Sequence, residues 1–309
     1  DQGYEQMQRW FYDNGLQRRV PAGTSRSGLV FTNFNPGTKG FNLDIFSNQQ
    51  ASSFTFFVPL PDFVPDFSQV DFQTLYAQDE HLELDEASLK TVLEEFQCCS
   101  TDETGQLNGG PFNVVLVGSP LAVRRSLLRG RWLETSEENE VTSITRRFRF
   151  HERPPDAIFY MDRYDGNERL QLNLWMAPWR VGSDNVWLGQ VFYRYQNLPL
   201  SFAMQKSSYL QNSDVITKLI GESISADIDS AQRFIVQNFW YNHSLLKFGF
   251  VSGAGAASRD EPVVTFQGFV DFTEGQRAVV FLSEAPVALD DARFVYERLR
   301  GADVGPVND

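Results

Sequence analysis

The sequence predicts an α+β fold, a mixed, largely antiparallel sheet with packed helices and a β-rich N-terminal lead-in. Three observations predict it. An apolar run, Phe112-Asn113-Val114-Val115-Leu116-Val117, reads as a buried strand, and Gly118-Ser119-Pro120 then starts a helix with Ser at the cap and Pro at its first position. Strand-like segments Ala157 to Met161, Arg169 to Trp175 and Val186 to Tyr195 follow one another, with the hairpin signal Asp165-Gly166-Asn167 between two of them. Two further stretches carry apolar residues at helical spacing, one after Asp85 and one after Asp229.

Taken in order, residues 1–27 form a polar N-terminal arm around the aromatic patch Trp10, Phe11 and Tyr12. Residues 28–94 form the lead-in, with β-type runs Leu29 to Phe31, Phe41 to Phe46 and Phe54 to Val58, broken by Asn35-Pro36-Gly37, Pro59 and Pro61. It ends in a helix capped by Asp85, whose Leu89, Val92, Leu93 and Phe96 fall on one face and which stops at the cysteines. Residues 95–300 form the main α+β domain. Its loop Ser100 to Pro111 precedes the central strand, and the helix after Pro120 presents Leu121, Leu127 and Leu128 inward and meets Gly130 near its end. The antiparallel meander comes next, starting with Arg147 to His151 and continuing through the three segments named above. The helix capped by Asp229 carries Phe234, Ile235, Phe239 and Trp240 and leads to the strand Phe248 to Val251. Strands Val263 to Phe272 and Ala278 to Leu282, joined at Glu274-Gly275, and a helix from Asp290 to Arg300 complete it, leaving 301–309 as a flexible tail.

Composition narrows the function classes. Of 309 residues, 42% are hydrophobic and 22% charged, which excludes a disordered or collagen-like chain. The net charge of −13 repels polyphosphate, so nucleic acid is not an expected partner. Charge is uneven: twelve carboxylates and one lysine lie between Asp62 and Glu103, and eight arginines crowd the stretch from Arg124 to Arg153. That asymmetry favours segments matched against each other inside the fold. No segment is long and apolar enough to cross a bilayer as a helix. Adjacent Cys98 and Cys99 make neither a long-loop staple nor a four-ligand metal site; buried thiols are the plain reading and a vicinal disulfide the alternative.

Chemical motifs are sparse. The three histidines lie 70 or more positions apart, so no metal site and no cofactor is expected. No Gly-x-Ser-x-Gly elbow is present, which leaves no catalytic residue to assign. Gly253-Ala254-Gly255-Ala256-Ala257 lacks the last glycine of a dinucleotide loop and the helix that should follow it. Asp227 with Asp229, and Asp162 with Asp165, read as cap and turn residues.

Three stretches together resemble the C-terminal domain of LssY-type bacterial proteins. They are Cys98-Cys99-Ser100-Thr101 with Gly110-Pro111-Phe112 to Gly118; Arg153-Pro154-Pro155-Asp156-Ala157 with Leu172-Asn173-Leu174-Trp175 and Val186-Trp187-Leu188-Gly189; and Asp227 to Arg233 with Gly253 to Arg259 and Phe272 to Val279. The resemblance spans roughly residues 95 to 285 and implies a life at the bacterial membrane, because some relatives carry the domain after segments similar to type 2 phosphatidic acid phosphatases. Where relatives often have histidines, this chain has Gln171, Asn173, Ser223 and Ser225, so a His-dependent site is not expected.

The expectation is a non-catalytic interaction or accessory module of the cell envelope, periplasmic or tethered through a segment preceding Asp1, with a cytoplasmic address still open. It would bind a membrane protein or membrane-associated complex, or copies of itself, through Trp10, Phe11 and Tyr12. The competing expectation is an enzyme or ligand-binding domain for a phosphorylated or lipid substrate, with Arg153, Arg233, Arg259 and Arg277 as an anion clamp. Internal pairing of these arginines with Asp156, Asp229 and Asp271 is the bland counterpart of that clamp.

Overall fold

A computed structural model describes residues 2–32, 37–47, 50–61, 63–136, 148–163, 168–196 and 222–296. The chain divides into two compact units, Asp1–Pro36 and Gly37–Asp309.

In the first unit, helix α1 (Gln2–Asn14) is followed by an extended return in which Leu29 donates its N–H to the Asn14 carbonyl. Phe31 comes back against Phe11 and Trp10, with ring centroids 4.6 and 6.0 Å apart. The expected strand at Leu29 to Phe31 is a single bridge, Gly15 with Leu29, because this short unit offers no sheet to extend it.

The second unit is built on a mixed ten-stranded sheet. Its strands are β3 (Leu82–Leu84), β6 (Val114–Val117), β7 (Leu133–Glu134), β8 (Ala157–Arg163), β9 (Glu168–Val181), β10 (Asp184–Gln196), β11 (Glu222–Ile224), β12 (Leu245–Ser252), β15 (Gln276–Leu282) and β16 (Arg293–Phe294). The main order is β16-β12-β15-β6-β10-β9-β8-β7, with β11 on β10 and β3 on β9. β8, β9 and β10 form three segments of the expected antiparallel meander, while in its first expected segment Arg149 and Phe150 make only single bridges, to Thr101 and Arg153; β6 runs parallel to β15. The sheet is thus mixed and largely antiparallel, as the sequence predicts. The Asp165-Gly166-Asn167 turn, the whole 137–147 stretch and the expected tail 301–309 lie outside the described residues.

Each sheet face buries its own cluster. On one face, α4 (Pro120–Arg129) and α5 (Ile228–Tyr241) set Val123, Leu127, Ile235 and Phe239 against Val114, Leu116, Leu172, Leu174 and Val280. On the other, α3 (Glu86–Glu95) sets Leu89 and Leu93 against Phe112, Val115, Trp175, Leu188 and Val279. Period-two alternation along β6, β15 and the Leu174–Ala177 part of β9 sends neighbouring residues to opposite clusters, which explains the near-continuous apolar sequence of these stretches. Two smaller hairpins flank the sheet on this unit: β1 (Lys39–Ser47) with β2 (Gln50–Val58), and β4 (Cys99–Thr101) with β5 (Asn108–Pro111). The short helix α2 (Asp66–Gln69) lies between β2 and β3 and buries Phe67.

Several expectations need correction. The Ser100 to Pro111 loop is the β4–β5 hairpin. Ser119 caps α4, accepting from the Ala122 N–H at 3.1 Å, and this phase turns Ala122, Val123, Ser126 and Leu127 inward while Leu121 stays 44% exposed. Gly130 is required by close approach, since a Cβ there would lie 2.2 Å from Asn238 Oδ1. The cap of α5 is Asp227, which accepts from the Ser230 N–H at 3.1 Å; Asp229 sits in the first turn. Val263 to Phe272 is a tight hairpin, β13 (Val263–Val264) with β14 (Val270–Asp271), turning through Gly268 at φ 83°. The expected helix from Asp290 begins as a 3-10 turn, Leu289–Asp291, and then becomes β16 on β12, because the β12 edge offers backbone pairing there. Cys98 and Cys99 are disulfide-bonded rather than thiols.

Candidate functional site

Among the four arginines singled out from the sequence, Arg233 and Arg259 come together. Both line an open cleft of about 450 Å³ with Asp227, Asp229, Ser258 and Phe272. The cleft forms where the start of α5 meets the 253–259 loop, whose Ala257 pairs with Thr273. Arg259 lies 3.8 Å from Asp227 Oδ2 and 4.7 Å from the centroid of the Phe272 ring, and its side chain is 76% exposed. Arg233 is exposed on α5. The carboxylates have structural roles. Asp227 caps α5, and Asp229 accepts from the Thr273 hydroxyl at 2.6 Å and from the Glu274 N–H at 2.8 Å, tying the loop to the helix.

Arg277 and Arg153 are placed elsewhere. Arg277 is fully buried on β15 and donates to the carbonyls of Leu93, Gln97 (2.5 Å), Gly253 (2.7 Å) and Phe96 (3.1 Å). It thus holds the end of α3, whose last carbonyls have no partner within the helix. Burial lowers its pKa to about 10. Among the described residues no carboxylate pairs with it, contrary to the expected bidentate pair, because backbone carbonyls already take its donors. Arg153 donates to the Tyr76 hydroxyl at 2.9 Å, to the Met176 carbonyl at 3.0 Å and to Asp156 at 3.4 Å. Burial raises Asp156 to about 6, with Arg153 pulling the other way. These two arginines are internal fasteners.

A row of polar side chains crosses the middle of the sheet. Arg194 donates to Gln171 Oε1 at 2.7 Å, Gln171 to Asn173 Oδ1 at 2.9 Å, and Asn173 to Gln190 Oε1 at 3.4 Å. Gln190 then donates to Ser100 Oγ at 2.7 Å and to the Gly110 carbonyl. All four side chains of the row are buried. Gln171, Asn173 and Gln190 are amides, which neither take up nor release a proton near neutral pH.

The row ends at a partly closed cavity of about 20 Å³, room for one water-sized group. Gln190 and Gly110 border it, as do Phe148, Phe192 and Phe269. Asp271 on β14 also lines it, only 6% exposed, and its Oδ1 has no hydrogen-bond partner among the described residues. Burial alone raises this carboxyl to about 7. The β13–β14 turn that carries it is anchored by the Phe266 N–H on the Asn108 carbonyl at 2.9 Å and by the Phe266 ring 5.6 Å from Phe148.

The chain also leaves apolar faces in solvent. On α1, Trp10, Phe11 and Tyr12 are 52%, 38% and 74% exposed. The β1–β2 hairpin is more ordered in its pattern. Its register sets Phe41 opposite Phe56 and Leu43 opposite Phe54, with Ile45 and Val58 on the same face. Of these six, all but Phe41 are exposed by 41 to 52%. The opposite face is more polar, with Asn42, Asp44 and Thr55; there Phe57 packs below Arg125 of α4, at 5.9 Å.

Sequence reasoning finds both strands of this hairpin but not the side that they leave open. Alternation marks a face that needs covering without saying what covers it. Asp271 enters from the sequence only as a partner for an arginine, and its isolation depends on a turn that the sequence signals through Gly268 alone. Among the described residues, no group of three or more His, Cys, Asp or Glu could hold a metal ion. No protein-family model, no curated protein and no solved structure matches the chain.

Proposed function

We propose that this chain is a non-catalytic interaction or accessory module of the bacterial cell envelope that binds a membrane-associated protein or assembles with itself. The observation that supports it is the outward face of the β1–β2 hairpin. Two strands alone are marginal in water, and a face of Phe41, Leu43, Ile45, Phe54, Phe56 and Val58 in solvent costs free energy until something covers it. Lys39, opposite Val58, stands at one end of that face, and no charged side chain interrupts it between Phe41 and Ile45 or between Phe54 and Phe56. A partner can therefore bury that stretch while the ammonium stays at its edge. The exposed aromatics of α1 add a second surface of the same kind. The envelope address rests on the LssY-like stretches.

Gentle solubilisation of the native full-length protein, followed by its native mass and the identity of stoichiometric companions, tests this reading. Assembly is expected, and Ile45→Lys with Phe56→Lys should abolish it while leaving the fold intact. A lone monomer at every concentration, with no companion, overturns it. The second reading would then gain weight, in which Arg233 and Arg259 receive an anion such as a phosphate group in the open cleft. It is favoured by one observation, the convergence of two exposed guanidinium groups there. Arg153 and Arg277 take no part in that version of the clamp.

A further inference from the structure

The cavity beneath the β13–β14 turn shares no lining residue with the Arg233–Arg259 cleft, and it combines features that point to a ligand. Among the described residues that line it, Asp271 is the single ionisable group. A carboxylate buried without a cation or a hydrogen bond to Oδ1 is costly. The groups around it do little to relieve that cost. The Gln190 amide is committed to Ser100 and Gly110, and the Thr265 hydroxyl accepts from the Phe269 N–H at 3.2 Å. The remaining walls include Phe148, Phe192, Phe269, Ile224 and Ile228.

We propose that this cavity is a binding site for the primary ammonium group of a small organic amine, held by the Asp271 carboxylate. Size, charge and wall chemistry each select that class. A volume of about 20 Å³ admits one –NH₃⁺ and excludes a bulky quaternary head. A positive charge is what an isolated carboxylate lacks, and phenyl rings tolerate a cation better than aliphatic walls do. A metal ion is disfavoured, because calcium takes six or more oxygen ligands and magnesium a full octahedron, which these walls do not supply. The partial opening lets the carbon tail of the amine lie against apolar surface. Ionisation of Asp271, raised to about 7 by burial, makes binding strengthen as pH rises through neutrality.

Thermal unfolding of the full-length protein at pH 8.5 in propylammonium chloride tests the site, with sodium chloride at equal ionic strength, 1-propanol and tetramethylammonium chloride as comparisons. Propylammonium alone is expected to raise the melting temperature, by about 2 °C at ten times its dissociation constant. Asp271→Asn should remove the increment. Gly110→Ala should remove it too without altering charge, since its methyl would sit 3.8 Å from Asp271 Oδ2 and 3.5 Å from Gln190 Nε2, in ordinary contact at the cavity wall. Equal shifts with sodium, propanol or tetramethylammonium, an increment surviving in either variant, or no shift up to tens of millimolar amine would each overturn the proposal.

Discussion

Replacing Asp271 by Asn removes a charge and keeps the shape, so its effect on stability should depend steeply on pH. The folded carboxyl titrates near 7 and an unfolded one near 3.8. Below pH 3.8 both states hold the proton and the group contributes nothing to the pH dependence. Between pH 3.8 and 7 the folded state alone retains it, and stability falls by about 1.4 kcal/mol for each unit of rising pH. Above pH 7 the folded state carries the buried charge at its full cost. Asn has no such slope, though its amide leaves a donor to satisfy, at a constant cost of about 1–3 kcal/mol. The difference between variant and wild type therefore moves in favour of Asn by about 3 kcal/mol from pH 5 to pH 8.5, whatever that constant is. Urea unfolding of both proteins at these two pH values measures it, and titrations elsewhere cancel because both proteins share them. A difference unchanged with pH would mean that Asp271 ionises as an exposed carboxyl does, and the isolation argued for it would be refuted.

The two kinds of arginine should separate sharply. Arg277→Met strands the carbonyls at the end of α3 and is expected to cost about 3 kcal/mol or more in chemical denaturation, whereas Arg259→Ser, on a side chain 76% exposed, should stay within about 0.5 kcal/mol. If the second functional reading holds, Arg259→Ser should instead weaken the binding of inorganic phosphate in a folded protein, measured by calorimetry. Alkylation of the denatured protein without reductant should leave Cys98 and Cys99 unmodified, and prior reduction should expose both to the reagent by mass spectrometry.

Local chemistry makes much of the fold legible. Asp85 caps α3 as expected, accepting from the Ser88 N–H at 2.7 Å, and Ser119-Pro120 starts α4, because cap signals act over three or four residues. The meander is legible from alternation and β-rich composition. Misreadings arise where tertiary contacts decide. Asp229 has the residue type of a cap but is drawn off by Thr273 and Glu274, leaving the role to Asp227 two residues earlier. The stretch after Asp290 has helical composition, yet an open β12 edge takes Arg293 and Phe294 as a strand. Within the candidate clamp, residue type does not tell an arginine facing solvent from one facing carbonyls. Arg259 and Arg277 both lie beside small residues and turns, and only the packing of α3 over β15 separates them.

The buried polar row bears on this distinction, because it sits where an apolar core would be cheaper. Side chains on β9 and β10 alternate between faces, so slipping their pairing by one residue would turn Gln171, Asn173, Gln190 and Arg194 toward the leucines and phenylalanines under α4 and α5. Each amide stranded there would cost about 1–3 kcal/mol, and the guanidinium more. A uniformly apolar pair of strands would carry no such penalty and would hold its register less firmly. The row thus penalises the wrong pairing more than it stabilises the right one. Its last member carries that specification outward. By holding Ser100 and the Gly110 carbonyl, Gln190 fixes the β4–β5 hairpin that forms one wall of the Asp271 cavity. Gln171 and Asn173 therefore have a positioning role, because they set the register that places Gly110 opposite a buried carboxylate.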